Sequence, residues 1–114
     1  MELLAEATGP LLVPELVVTE VAYLLNDRIG PHAELAFGQS IAASELVVEP
    51  VLDTEWERVA ELMEQYLDLP LGMVDASLVA LAERHGATEI ATLDRRHLSV
   101  VRPRHVASLI LLPS

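Results

Sequence analysis

Three carboxylates stand out because each lies where a helix or strand pattern could bring it to a shared site. Asp75 opens the helical pattern "LGMVDASLVALAERHG", Asp94 directly follows the strand pattern "TEIATL", and Glu20 lies in "PELVVTEVAYLL". Three converging carboxylates form an oxygen-rich cage that suits a hard divalent cation, whereas zinc prefers His or Cys ligands. These residues therefore predict a Mg²⁺ or Mn²⁺ site formed by Glu20, Asp75 and Asp94.

Asp94 and Asp75 also have a purely structural interpretation. An aspartate after a strand often caps a helix or forms an Asx turn, which would explain Asp94. A first-turn carboxylate such as Asp75 complements the helix macrodipole, which is worth ~0.3–1 kcal/mol. Glu20 is three and four positions from Val17 and Leu24, so it is predicted to share their apolar stripe, where a carboxylate is costly unless paired or metal-bound. Both interpretations stay open at this stage.

The arginines nearest to Asp94 could serve the same site. A metal held by carboxylates can activate water and stabilise the leaving oxygen of a phosphodiester, and Arg95 and Arg96 could then contact a phosphate. Salt bridges from these arginines to the surplus acids are the alternative. The glutamates at 55, 57, 61 and 64 are predicted to form an ordinary solvated helix face.

The elements that must position these residues can be assigned from periodicity and from Gly and Pro. Strands separated by helices predict right-handed crossovers and a mostly parallel sheet with helices on both faces, as a single α/β domain over residues 1–114. Ligands of such sheets bind beyond the carboxyl ends of the strands, so Asp75 and Asp94 are expected on one rim. The predicted strands are 11–13, 45–52 and 88–93, with further extended segments at 99–101 and 108–112. Residues 1–7 are predicted to be the end of a helix. Further helices are predicted at 15–28, then up to residue 43, then from an N-cap at Asp53, and finally from the break "LPLG" at 69–72 to a stop at Gly86, while 94–98 form a short turn or helical hook.

Composition restricts the class of protein. The 114 residues are 52% hydrophobic, contain no cysteine, and carry 18 acids against 7 basic residues, all arginine, for a net charge of −11. That charge argues against holding nucleic acid by bulk electrostatics, but it does not exclude an enzyme that meets phosphates through metal ions. No apolar run approaches the ~18 residues of a membrane span, and the amino terminus lacks the basic region of a signal peptide, so we expect a cytoplasmic protein without a membrane contact.

Two segments resemble the PIN-domain ribonucleases, and especially the VapC-like toxins of VapBC toxin–antitoxin pairs. They are "LLVPELVVTEVAYLL", with the family's helix-borne acid at Glu20, and "LPLGMVDASLVALAERHGATEIATLDRRHLSVVRP", with its "DA" acid at Asp75 and its "T-x-D" acid at Asp94. The resemblance implies a three-layer α/β/α fold and Mg²⁺- or Mn²⁺-dependent cleavage of RNA. It also implies a homodimer and neutralisation by an antitoxin protein. Asp75 would bind the metal directly, with Glu20 and Asp94 completing the shell.

One part of the family pattern has no counterpart here. The family begins with a hydrophobic strand that ends in an essential Asp and is followed by a first helix, and nothing before Leu11 matches it. The chain is therefore expected to be truncated at its N-terminus, without the strand that lies centrally in the family's sheet. A truncated gene product, a dimer partner that fills the gap, and a sheet that closes without this strand are the three hypotheses. The alternative function is a catalytically degenerate PIN-like module that only binds an antitoxin-like partner.

Overall fold

A computed structural model describes residues 2–5, 11–69, 71–86, 89–92, 101–105 and 110–112, with backbone alone for 2–5, 89–92 and 110–112. The described elements, in chain order, are β1 Glu2–Ala5, β2 Leu11–Pro14, α1 Glu15–Arg28, α2 Pro31–Ala42, β3 Leu46–Glu49, a 3₁₀ turn Asp53–Glu55, α3 Trp56–Gln65, α4 Met73–His85, β4 Glu89–Thr92 and β5 Ile110–Leu112. None of the helices within these ranges is long and apolar enough to cross a membrane.

The five strands form one sheet in the order β3-β2-β1-β4-β5. β2 pairs with β3 in parallel, and β4 pairs with β5 in parallel. β1 lies between the two pairs and is antiparallel to both β2 and β4. Four of the five strands consequently run in the same direction, so the predicted mostly parallel sheet is confirmed.

Two core clusters show that the sheet is covered on both faces. Successive residues of a strand point to opposite faces. Leu12 belongs to a cluster built mainly from α3 and α4, while Val13 belongs to a second cluster with Val17 and Val21 of α1, against which Phe37 of α2 packs. The helices α3 and α4 therefore cover one face and α1 and α2 the other, which confirms the three-layer α/β/α architecture.

Local sequence explains most of the element boundaries. Pro14 is the N-cap residue of α1, and Gly30 adopts φ 133°, a conformation that favours glycine, between α1 and Pro31 at the start of α2. Gly86 ends α4 with φ 64°, as predicted. The N-cap predicted at Asp53 is wrong, because the 3₁₀ turn begins there after Leu52, whose backbone N–H donates to Glu55 Oε1 at 2.8 Å.

The prediction that residues 1–7 end a helix is wrong. Glu2–Ala5 is a strand in the centre of the sheet, where Leu4 is the register partner of both Leu12 and Ile90. The run "ELLA" consists of good helix formers. Pairing on both sides overrides that local preference, because tertiary context decides strand formation more than composition does.

Candidate active site

The carboxyl ends of β2 and β4 lie at the same rim of the sheet. Both strands are antiparallel to β1, so they run in the same direction and end at Pro14 and Thr92. Glu2 is the register partner of Thr92, so β1 begins at this rim. The helix α1 starts directly after Pro14, and Asp94 follows Thr92 by two positions. This rim is where ligands of α/β sheets bind.

Asp75 is the third residue of α4 and is half-buried. Its neighbour Val74 packs against the cluster of Val13, Val17 and Val21, while Ala76 belongs to the cluster on the opposite face of the sheet. The first turn of α4 contacts both faces, so it lies where the sheet ends, beside the penultimate residue of β2. The structure thus places Asp75 near the rim, as predicted, and leaves its interaction with the α4 macrodipole equally valid.

Glu20 lies on α1 but outside the apolar stripe predicted for it. Val17 and Val21 are buried, whereas Glu20 is exposed. At 3.6 residues per turn, Glu20 projects about 60° from Val17 and about 100° from Val21, away from the core. The expected burial cost of this carboxylate is therefore absent, and its selection as a metal ligand no longer follows from burial.

Asp94, Arg95 and Arg96 lie outside the described residues, so their predicted roles stay predictions. Within the part of the chain that the structure describes, no three His, Asp or Glu side chains are grouped as metal ligands. The two described members of the predicted set, Glu20 and Asp75, are both carboxylates on elements that pack together. Their oxygen donors fit a hard cation such as Mg²⁺ or Mn²⁺.

A groove of about 510 Å³ is lined by residues of α1, among them Thr19, the neighbour of Glu20 in the chain, and by Glu34 of α2. Its outer wall is formed by Tyr23, which is 68% exposed, and Asn26 joins the two helices by donating to Glu34 Oε1 at 2.9 Å. Asp27 and Glu34 give the groove a negative charge, and Thr19 connects it to Glu20 along the helix. This groove is therefore an apolar and acidic surface next to one of the predicted site residues.

A second charged region lies on the α3–α4 side, around a cleft of about 450 Å³. Arg58 donates from Nε and Nη2 to the two carboxylate oxygens of Glu83 at 2.8 and 2.7 Å, and from Nη1 to Glu61 at 2.6 Å. The hydrogen bonds that Arg58 donates to Glu83 raise the pKa of Arg58. Burial acts to raise the pKa of Glu83, but hydrogen bonds from Arg58 and from the Arg104 backbone hold it below its usual value.

The acids of α3 are not uniformly solvated, in contrast to the prediction. Glu55 has a side chain that is only 14% exposed, and it accepts from Arg84 Nε at 3.0 Å. The prediction of a solvated face is confirmed for Glu57, Glu61 and Glu64, which are exposed. Glu61 also accepts from both Arg58 and Arg104.

Two side chains that accept hydrogen bonds from the backbone of residues 101–105 were not predicted from the sequence. The hydroxyl of Tyr66, directly after α3, accepts a hydrogen bond from Arg102 N–H at 2.9 Å. Glu83 accepts from Arg104 N–H at 2.7 Å in addition to Arg58. These partners are 36 and 21 positions apart, and no local pattern indicates contacts over such separations.

Comparisons with known proteins give the family. The PIN domain family model matches residues 1–103. Ribonuclease VapC26 of Mycobacterium tuberculosis is 36% identical over 102 residues, which cover 90% of this chain and 76% of that protein. The crystal structure of Mycobacterium tuberculosis VapC20, a toxin that cleaves the sarcin–ricin loop, has a TM-score of 0.63 and 24% identity. It covers 68% of this chain, which spans 60% of the VapC20 chain, and shows the shared fold. With its three-layer fold and this match over most of its length, the chain belongs to the PIN domain family.

Proposed function

We propose that this protein is a divalent-metal-dependent endoribonuclease, the toxin component of a toxin–antitoxin pair, acting in the cytoplasm. The observation that carries the proposal is the 36% identity to Ribonuclease VapC26 over 90% of the chain. The position of Asp75 near the rim where β2 and β4 end supports it, because that rim is the ligand-binding edge of this architecture.

The chemistry follows from the predicted carboxylates. Glu20, Asp75 and Asp94 would hold Mg²⁺ or Mn²⁺, which when bound supplies an activated water and stabilises the charge that develops on the phosphodiester oxygens. Half-buried Asp75 is fixed by the first turn of α4, so its carboxylate is the best oriented of the described pair. Arg95 and Arg96, directly after Asp94, would bind a phosphate of the RNA by charge-assisted hydrogen bonds.

The test is Mn²⁺-dependent cleavage of a structured RNA by the wild type and by Asp75→Asn. This substitution keeps the size of the side chain and removes its charge. Mutating an outer-shell partner typically costs ~10–100-fold, so we expect a loss of kcat/KM of at least about 100-fold for a residue that would bind the metal itself. Asp53→Asn, an exposed aspartate outside the predicted set, is the matched control and should cleave at the wild-type rate. No cleavage above background by either protein, with both folded, would refute the enzyme assignment, whereas equal cleavage by both would refute the role of Asp75.

We further propose that the antitoxin binds the α1–α2 groove, and that the chain forms a homodimer. The exposed Tyr23 provides the aromatic anchor that protein interfaces often use, and Asp27 and Glu34 select a partner segment with basic residues. Tyr23→Ala should weaken binding of the cognate antitoxin, measured by calorimetry, at least ten-fold. Leu67→Ala, which removes an equally exposed apolar side chain on the α3–α4 side, should leave it unchanged.

A second candidate function is a catalytically degenerate module that only binds such a partner. The α1–α2 groove favours this function. All of its lining residues are described, and none of them is a predicted metal ligand, so the groove could bind a partner without a metal site. A folded wild type that binds the antitoxin but cleaves no more RNA than Asp75→Asn would select this function over the first.

A further inference from the structure

The solvent-exposed side of α2 carries no carboxylate and no arginine. Its exposed residues, named the α2 face here, are Pro31, His32, Leu35, Ala36, Gly38, Gln39 and Ala42. Glu34 is the one acid of α2, and it is half-buried beside α1, where it accepts a hydrogen bond from Asn26 at 2.9 Å. The α2 face therefore contains no acid, in a chain that has 18 of them and a net charge of −11.

The other described helices differ from α2 in what they expose. The acids that α1 and α3 expose are Glu15, Glu20, Asp27, Glu57, Glu61 and Glu64. The helix α4 exposes Met73 alone. Among the described helices, α2 is thus the one that offers an extended exposed side without a carboxylate.

The α2 face also leaves apolar surface in contact with water. No residue of α2 is buried, although Phe37 packs against the core cluster of α1. Leu35 is 56% exposed, and Ile29, in the turn that leads into α2, is 74% exposed. An exposed leucine amid uncharged residues is typical of an interface core, where charged residues are depleted.

Gly38 is a second, independent feature of the α2 face. It lies inside the helix, where glycine is less favourable than alanine. Outside the backbone of its own helix, no atom lies within 4 Å of the Cβ that alanine would add, and its φ is not positive. The packing of a single chain therefore does not require glycine here, whereas the close approach of a second backbone would.

The charge of the chain indicates which partner fits the α2 face. In a two-fold dimer the same patch of both copies meets, so an acidic patch would bring carboxylates onto carboxylates, which is strongly unfavourable. Two copies can meet through the α2 face without that repulsion. A basic segment is attracted instead to the α1–α2 groove with Asp27 and Glu34, and a nucleic acid needs cations that the α2 face lacks.

We propose that the homodimer forms through the α2 face, with Leu35 as its apolar anchor and Gly38 where the two backbones approach each other. The inference rests on the homodimer of the proposed function and adds the surface through which the two copies meet. The α1–α2 groove and the α2 face share no residue, so a second copy and a basic partner have separate surfaces.

The experiment measures the dissociation constant of the dimer by sedimentation equilibrium, with circular dichroism as the check on folding. Leu35→Glu places a carboxylate on the α2 face, and its control Leu67→Glu adds the same charge at a more exposed position after α3. Gly38→Ala adds a methyl group to the α2 face, and its control Gly72→Ala adds one before α4, likewise in open space.

We expect Leu35→Glu to weaken the dimer about ten-fold or more and Gly38→Ala about five-fold or more, while both controls stay within about two-fold of the wild type. Gly38→Ala decides the matter if Leu35→Glu does not fold, because alanine favours the helix while the added methyl group opposes the dimer. A wild-type dimer that either folded α2 variant leaves unchanged, or that the controls weaken equally, overturns the inference but not the homodimer. A folded wild type that stays monomeric refutes the homodimer as well, and leaves the ribonuclease assignment to the cleavage test.

Discussion

Removal of the Arg58–Glu83 contact is the perturbation whose energetic effect can be worked out most fully. The two side chains are 11% and 12% exposed, and their two hydrogen bonds of 2.8 and 2.7 Å form a bidentate pair between α3 and α4. Glu83 also accepts from the backbone of Arg104. Truncating either side chain therefore leaves its partner charged in a poorly solvated place.

The magnitude follows from these contacts. Hydrogen bonds to charged groups contribute about 1.5–3 kcal/mol, and orphaning one partner of a buried pair costs about 3–5 kcal/mol. Arg58 retains Glu61, whose side chain is 50% exposed, so the lower part of that range applies. We expect Glu83→Ala to lower the free energy of unfolding by about 2–4 kcal/mol, out of a total of roughly 5–15 kcal/mol for a domain of this kind.

The assay is a double-mutant cycle by urea unfolding followed by circular dichroism. Arg58→Ala and Glu83→Ala together should cost less than the sum of the single variants by about 1–3 kcal/mol. The cycle for Arg84 and Glu55, which are joined by a single contact at 3.0 Å, is the control and should give a smaller coupling. A coupling below about 0.5 kcal/mol for Arg58 and Glu83 would show that the pair does not stabilise the helix contact, and would refute the reasoning.

Three further predictions concern pH, a turn and the core. Because the folded state lowers the pKa of Glu83, the ionised carboxylate stabilises the fold above its unfolded pKa of about 4.3, and this contribution disappears as pH falls through the lower folded value. The stability difference between the wild type and Glu83→Gln, measured by urea midpoints from pH 3 to 7, should therefore shrink toward low pH; a constant difference would contradict this. Gly86→Ala should lower the free energy of unfolding by about 1–2 kcal/mol, because φ is +64°, although no atom lies near the added methyl group. Gly38→Ala within α2 should raise it by about 0.5–1 kcal/mol, and urea unfolding of both variants measures the difference. Leu62→Ala, which empties a fully buried position, should cost about 2–5 kcal/mol, and Leu67→Ala, at a position 72% exposed, less than about 0.5 kcal/mol; similar values for the two leucines would contradict the core assignment.

The parts of the fold that were predictable are those whose ends are marked by nearby Gly and Pro residues. The bounds of α1, Glu15–Arg28, were predicted without error because Pro14 precedes the helix and "IGP" follows it. Gly86 was recognised as the end of α4 for the same reason. Val59 and Leu62, the buried residues of α3, are three positions apart, which is the spacing of one helix face. In each case the residues that determine the structure lie within a few positions of it, so the local sequence is enough to predict it.

The parts that were missed depend on partners far along the chain. The strand Glu2–Ala5 exists through its pairing with β2 and β4, although its residues favour a helix. Spacing alone assigned Glu20 to the buried stripe, but the direction of the core from α1 is set by the sheet, and it leaves this residue exposed. The hydrogen bonds that Tyr66 and Glu83 accept likewise depend on the path of residues 101–105. The position of Asp75 in the first turn of α4 was predicted correctly because a helix N-terminus is a local feature.

The direction of the central strand determines what this rim can contain. In a fully parallel sheet, the last residue of the central strand lies between the ends of its neighbours. Here β1 is antiparallel, so its first residue, Glu2, is the register partner of Thr92, while Ala5 is paired with Glu89 at the opposite edge. The rim is thus reached by the start of β1, the ends of β2 and β4, and the first turn of α4. Asp75 approaches from a helix that contacts both core clusters, and its position therefore depends on the packing of α4 rather than on the direction of β1. The Mn²⁺ affinity of the proposed metal site should accordingly be more sensitive to changes around the first turn of α4 than to changes in residues 3–5.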